Sequence, residues 1–298
     1  MPDTGSLAAR VRELLAGGAV ILALGGGWYL VGPPEEPGPV VRVAAFNVQV
    51  FGQAKAGKPD VMELLARVAR EFDVVLVQEV RDASQEVADA FLEEINAQPG
   101  PPYAMWEGRR LGRTISKEQY VAYYAPSRVE LLDAGVFPDS ADRFEREPMV
   151  ATFRAGNFDF TVVAIHVKPD SAGPELAGLV DVTTALLAEN PDERDVILMG
   201  DFNADCSYFE EEDSTHALRD PAFHWAIGNE WDTMITSDCT YDRIILQDAT
   251  VGAEYIPGSA RVYYFDQELG ITDAELVRAV SDHYPVFAEF VTVRPDDD

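Results

Sequence analysis

The chain has 298 residues, 47% of them hydrophobic, with 52 Asp and Glu against 23 Lys and Arg and a formal net charge of -29. That length and apolar share suit one domain of roughly 250 residues with a substantial core. The charge has the wrong sign for holding nucleic acid by bulk attraction, so any polyanionic ligand must be met by local basic groups and bound cations, most of the acidity being a solvated surface.

At the amino terminus Arg10 and Arg12 precede an uncharged run over residues 14–31. It is about 18 residues long, just enough to span a bilayer. Residues 1–32 are therefore expected to be a signal anchor or a signal peptide, and the arginines favour leaving that end in the cytoplasm so that the rest faces outward. A buried amphipathic helix fits less well, because the run has no polar face. Residues 33–39, PPEEPGP, read as a stiff linker. The catalytic domain is expected over residues 40–294, with an acidic tail over 295–298.

From residue 40 onward, apolar runs rich in β-branched residues alternate with stretches of helical spacing. Strands are predicted over 41–48, 74–78, 120–124, 149–153, 160–166, 196–199, 241–246 and 286–293, and helices over 60–72, 84–97 and 175–189. This mixture suggests a layered α/β fold. Asn47, Glu79, His166, Asp201 and Asp242 fall within or at the ends of these apolar strands. A charge in such a place is costly unless it is paired or bound to metal.

The segment DVILMGDFNADCSY runs a strand into Gly200 and then offers Asp201 and Asn203 two residues apart. Such oxygen ligands suit Mg²⁺ or Ca²⁺, although an Asx turn explains the pair equally well. VLVQEVRD delivers Glu79 from a strand end and AFNVQVFG places Asn47 inside one; each also reads as a hydrogen-bonded strand terminus. In SDHYPV, Asp282 and His283 precede the last strand, and CTYDRI puts Asp242 in a strand where a histidine partner would offset its burial. His166, ending VVAIH, taken by itself reads as a satisfied structural histidine. Cys206 lies three residues after Asn203 and Cys239 three before Asp242, so a disulfide between them, expected in an exported chain, would tie two candidate catalytic segments together. Two reduced, buried cysteines are the alternative.

Taken together, AFNVQVFG, VLVQEVRD, SKEQY, FEREP, GDFNADCSY, CTYDRI and SDHYPV resemble the endonuclease/exonuclease/phosphatase superfamily, and within it pancreatic-type deoxyribonuclease, in the family's order over residues 41–290. The resemblance implies a four-layer α/β/β/α sandwich with two packed mixed β-sheets, and a site on the rim where strands end. It implies that Asn47 and Glu79 hold Mg²⁺ or Mn²⁺, with Asp201, Asn203 and Asp282 as further metal or phosphate ligands and Ca²⁺ as a candidate structural ion. It pairs His283 with Asp242 and His166 with Glu118, as acid and base in either order. Arg81, Arg113, Arg146 and Tyr208 are implied as substrate contacts.

The implied activity is hydrolysis of DNA to 5′-phosphate ends by a monomer that meets the membrane only through its amino-terminal segment. Ser116 stands where the family has a Tyr against the minor-groove sugar, a second cysteine pair near 137–143 is missing, and residues 232–238 replace a Thr-rich calcium loop. These departures weaken the grounds for expecting a tight DNA grip, calcium dependence or actin binding. A sister enzyme acting on a phospholipid or inositol phosphate and a catalytically retired, anchored binding module are the rival readings, and the complete ligand and histidine set speaks against the second.

Overall fold

Valine, isoleucine and phenylalanine recurring at period two form the inner strands of two six-stranded sheets. The computed structural model describes residues 39–191, 193–247, 250 and 254–295, together with the backbone of β1 (Val20–Leu24) and β2 (Gly27–Val31), an antiparallel hairpin in a separate unit. The remainder of the leader expected over 1–32, nearly all of the linker over 33–39 and the last three residues of the tail lie outside the described residues. Among the described residues no helix is long and apolar enough to cross a membrane.

The first sheet contains β3 (Val40–Phe51), β4 (Val74–Val80), β5 (Ala104–Glu107), β6 (Gln119–Tyr124), β13 (Arg261–Val262) and β14 (Val286–Val291), in the order β13-β14-β3-β4-β6-β5. The second contains β7 (Glu130–Val136), β8 (Met149–Ala155), β9 (Phe158–His166), β10 (Val196–Asp201), β11 (Phe223–Trp225) and β12 (Asp242–Gln247), in the order β11-β12-β10-β9-β8-β7. Each has one parallel pair at its centre, β3 with β4 and β9 with β10, flanked by antiparallel neighbours. The fold is the expected sandwich of two packed mixed sheets with helices. Every predicted strand is present. The strands β5, β7, β11 and β13 were not predicted: they are short or lie at sheet edges, where exposed positions dilute the apolar pattern.

The helices are α1 (Gln53–Ala56), α2 (Pro59–Ala69), α3 (Val87–Ala97), α4 (Ala172–Glu189), α5 (Phe265–Glu268) and α6 (Ala274–Val280). Pro59 opens α2, where a missing N–H is harmless, and Val61, Leu64, Leu65 and Val68 form its buried face. The short helices α1, α5 and α6 were not predicted, since they span too few turns to show a period.

Two apolar layers result. Phe51, Phe91 and Tyr123 meet edge to face beneath α3, and Phe158, Phe160 and Phe290 stack in the main core. A second cluster lies under α4, where Leu176, Leu179 and Val182 cover Val163, Ile165, Leu198 and Ile245. Along β9, β10 and β12 the residues therefore alternate between the layers: Val162 and Ala164, Ile197 and Met199, and Ile244 and Leu246 belong to the main core. Continued by two residues, each series ends on a polar side chain, His166, Asp201 and Asp242 respectively.

The turn from β4 into α3 is organised by Asp82. Its buried carboxylate accepts the amides of Ser84 (3.1 Å), Glu86 (2.9 Å) and Val87 (3.1 Å). Burial acts to raise its pKa, but the Ser84 hydroxyl and these amides outweigh it and hold it at about 2. Asp82→Ala is expected to lower stability at neutral pH by about 1 kcal/mol, as for loss of a helix cap. Because the folded-state pKa lies below the unfolded one, this contribution is present above pH ~4 and declines as pH falls toward 2. Urea unfolding of both proteins at pH 7 and pH 3 checks this, and a gap that widens in acid contradicts it.

Candidate active site

Register places the polar ends of three neighbouring strands side by side, since Asp201 of β10 is paired with His166 of β9 on one side and with Asp242 of β12 on the other. All three are buried, Asp242 completely. Gly200 lets the strand reach this row. At φ +132 it packs so closely that a Cβ would stand 2.2 Å from the Ile165 carbonyl oxygen and 2.4 Å from the Gln78 side chain of the opposite sheet.

The first sheet meets that row through a break in its own pairing. β3 and β4 stay in register to Asn47 and Gln78, after which the pairing shifts and Gln49, Val50 and Glu79 adopt positive φ. The distortion aims the Val50 amide at Glu79 Oε2 (2.7 Å) and frees the Asn47 side chain. Asn47 Nδ2 donates to Asp201 Oδ2 across the two sheets at 2.9 Å and lies 3.4 Å from Glu79 Oε1.

Two imidazole–carboxylate pairs converge on Asp201. His166 Nδ1 is 2.9 Å from Glu118 Oε1, and His283 Nδ1 is 2.7 Å from Asp242 Oδ2. Their Nε2 atoms face Asp201 Oδ2 at 3.5 Å and 3.7 Å. Burial resists charge on both rings, but the carboxylates outweigh it: Glu118 and Asp201 raise His166, while Asp242 and Asp201 raise His283 to about 10. Burial likewise acts to raise Glu118, yet His166, Arg146 and Arg81 bring it down to about 2.

Asn203 follows in a left-handed turn, φ 47, its amide bonded to Asp201 Oδ1 (3.0 Å) and its Nδ2 to the Val167 carbonyl (3.0 Å). Asp282 Oδ1 lies 3.7 Å from His283 Nε2. A disulfide joins Cys206 to Cys239 with Cα atoms 5.9 Å apart, tying the loop after β10 to the approach to β12. The Tyr241 ring lies 6.4 Å from that of His283, and the exposed Tyr208 ring lies 5.6 Å from that of Tyr241.

Three implied substrate contacts are held by protein groups. Arg146 Nε lies 2.5 Å from Glu118 Oε1 and 2.9 Å from the His166 carbonyl; Arg81 lies between Glu79 (3.1 Å) and Glu118 (3.3 Å). Arg113 ties its hairpin to Asp142 and the Phe144 carbonyl rather than joining the histidine cluster.

A profile of the Endonuclease/Exonuclease/phosphatase family matches residues 44–283. Deoxyribonuclease-1 of Bos taurus is 35% identical over 257 residues, covering 83% of this chain and 90% of the relative, and deoxyribonuclease-1-like 2 of Mus musculus is 34% identical over 259 residues, covering 85% and 92%. The chain belongs to this family. It is a hydrolytic enzyme of the deoxyribonuclease-1-like kind. Among solved structures, a humanized D. rerio TDP2 superposes with a TM-score of 0.61 at 16% identity, over 84% of this chain and 98% of that one, a likeness of fold.

The donor set of this family member fits a hard divalent cation. Glu79, Glu118 and His166 each offer a ligand atom, mutually within 4.8 Å, and so do Asp201, Asp242 and His283. Among the described residues the Oδ1 atoms of Asp242 and Asp282 are buried without a hydrogen-bond partner, an arrangement that a cation would relieve.

Sequence reasoning missed the groups that aim these residues. Tyr120 accepts the His166 amide through its hydroxyl (3.0 Å), Thr233 Oγ1 accepts the Asp242 amide (3.1 Å), and Ser281 Oγ accepts the His283 amide (3.0 Å). Thr233 belongs to the segment that replaces the calcium loop, and its neighbour Met234 bridges to His283. A hydroxyl beside a candidate catalytic motif was the only signal available.

Glu118→Gln keeps the shape of the carboxylate but removes the charge that favours imidazolium at His166. The His166 titration midpoint is expected to move to lower pH in an NMR titration of the four histidines. An unmoved midpoint would show that Glu118 is not its electrostatic partner.

Proposed function

We propose that this chain is an exported, divalent-cation-dependent endonuclease that hydrolyses DNA phosphodiester bonds to leave 5′-phosphate ends. The observation that carries the reading is the pair of imidazole–carboxylate dyads, Glu118–His166 and Asp242–His283, facing each other across Asp201. Phosphodiester hydrolysis by in-line attack needs a base on one side of phosphorus and an acid on the other. One histidine takes the proton of the attacking water. The other gives a proton to the leaving 3′ oxygen as the P–O bond breaks, so that the phosphate stays on the 5′ side.

A cation held by Asn47, Glu79, Asp201, Asn203 and Asp282 would supply charge neutralisation and polarisation of the phosphate. The Asn203 main-chain amide is bonded to Asp201 Oδ1, which ties this residue to the same centre. The acidic surroundings favour imidazolium, which suits the acid; partial neutralisation of the carboxylates relaxes that hold and suits the base.

DNA as substrate is supported by the two deoxyribonuclease-1-like relatives and by the charge distribution. Residues 109–117, RRLGRTISK, contain Arg109, Arg110, Arg113 and Lys117 and no acid, in a chain of net charge -29. This basic hairpin closes on Glu118, whose amide bonds the Leu111 carbonyl at 3.1 Å. Export is supported by the apolar run over 14–31 and by the disulfide.

Plasmid cleavage by the full chain tests the reading. Cutting is expected with Mg²⁺ or Mn²⁺ and not in excess chelator, and Glu79→Gln is expected to keep the fold while losing most turnover. His166→Ala and His283→Ala are each expected to lower the rate by about two to four decades, with much smaller effects on DNA affinity. Complete cutting in chelator removes the cation from the mechanism; parental rates in both histidine variants remove the dyads.

A further inference from the structure

Lys55 is a lysine where a lysine is expensive. It lies in the short helix α1, only 9% exposed, and its Nζ donates to two main-chain carbonyls, those of Val48 (2.6 Å) and Val280 (2.8 Å). Burial pulls its pKa down to about 8, against the attraction of Asp282 and Glu79.

Both carbonyls lie at irregularities of the backbone. Val48 sits in the stretch where the β3–β4 pairing loses register, between Asn47 and Phe51. Val280 is the last residue of α6, where helix carbonyls lack intrahelical partners. A buried carbonyl without a donor is costly, and a cation at a helix C-terminus is favourable. One ammonium therefore satisfies the break after Asn47 and the helix end before Ser281, Asp282 and His283. Ser281 adds a second rung, its Oγ donating to the Asn47 carbonyl at 2.7 Å while accepting the His283 amide.

We propose that Lys55 is a positioning residue: it staples the Asn47 segment to the segment 281–283, and so sets the separation between the cation-holding group, Asn47 and Glu79, and the His283–Asp242 dyad. The proposal rests on the reading of this site as a cation-dependent nuclease. Lys55 touches neither substrate nor cation. Its effect passes through the backbone: without it the bulge that turns Val50 toward Glu79 and Asn47 toward Asp201 keeps only the Ser281 rung on the His283 side.

Position and charge make opposite predictions. A lysine acting only as a nearby positive charge would weaken cation binding, so its removal would tighten it. A lysine acting as a staple holds the ligands in place, so its removal weakens binding.

The test is Lys55→Met in the full chain, which keeps an unbranched stem and removes the donors. The cation midpoint is read without DNA or turnover, from the rise in melting temperature on titrating Mn²⁺ or Mg²⁺, and kcat and KM are read on plasmid. We expect the midpoint to weaken by about 10- to 100-fold, as for other residues that orient metal ligands, with kcat lowered and KM within about twofold. A tightened midpoint overturns the proposal in favour of charge alone. A lowered melting temperature with unchanged midpoint and kcat overturns it in favour of a purely structural role. Should Lys55→Met not fold, Lys55→Gln keeps amide N–H donors on a shorter stem, and its midpoint is expected to shift the same way by less. A parent chain that binds the cation but cuts no DNA refutes the proposed function and leaves the staple standing.

Discussion

The site depends on contact between two sheets, at its centre the hydrogen bond from Asn47 Nδ2 to Asp201 Oδ2 at 2.9 Å. Asn47 sits where β3 loses its register with β4, and Asp201 ends the central parallel pair of the other sheet. Each sheet alone carries an incomplete set of groups: Glu79 and Glu118 come from the first, His166 and Asp242 from the second. Packing the sheets face to face lets the polar rim form over an apolar layer that fixes its geometry. A shift of one residue in the β9–β10 or β10–β12 register would send His166, Asp201 or Asp242 to the face covered by α4, so the valines, isoleucines and phenylalanines beneath them determine the chemistry as much as the polar residues do.

The arrangement also concentrates like charge. Glu79, Glu118, Asp201, Asp242 and Asp282 crowd one region, and unpaired buried carboxylates are strongly penalised. The fold offsets part of this with arginine and imidazole: Arg81 and Arg146 both reach Glu118, and each histidine faces one carboxylate with Nδ1 and Asp201 with Nε2. What is left over, the Oδ1 atoms of Asp242 and Asp282, buried without a hydrogen bond among the described residues, is an oxygen-rich remainder suited to a hard cation. The same incompleteness that destabilises the site in isolation prepares it for a charged ligand.

Much of this was legible in the sequence, for identifiable reasons. His166, Asp201 and Asp242 stood out because each closes an apolar run of period two, where a charge needs an explanation, and the pairing of each histidine with its carboxylate followed from the family's motif order. The disulfide followed from two cysteines placed symmetrically about Asn203 and Asp242. Lys55, Thr233, Tyr120 and Ser281 were not legible, because their partners are backbone amides and carbonyls freed by a bulge, a helix end or a strand end, and no side-chain pattern records where those fall. The roles of the arginines were only half legible. A sequence shows that Arg146 and Arg113 are basic and near motifs; only packing shows one turned inward onto Glu118 and the other tethering Phe144.

Electrostatics on two length scales resolves the apparent conflict between an acidic chain and an anionic substrate. At distances beyond a Debye length, about 8 Å at physiological salt, the acidic surface is largely screened. Within that distance the hairpin over 109–117 offers four basic residues and no acid of its own, with Arg109 paired to Glu147 and Arg113 to Asp142. The hairpin is bonded to the imidazole–carboxylate cluster rather than merely near it: the Leu111 amide reaches the Glu118 carbonyl at 2.7 Å, and Arg81 contacts both Ser116 Oγ (3.5 Å) and Glu118. In the proposed reading a phosphate drawn to this hairpin arrives beside the Glu118–His166 dyad. On the same reading, attraction of a polyanion to so acidic a chain rests on such local basic groups and on bound cations, at the edge where the strands end in histidine and aspartate.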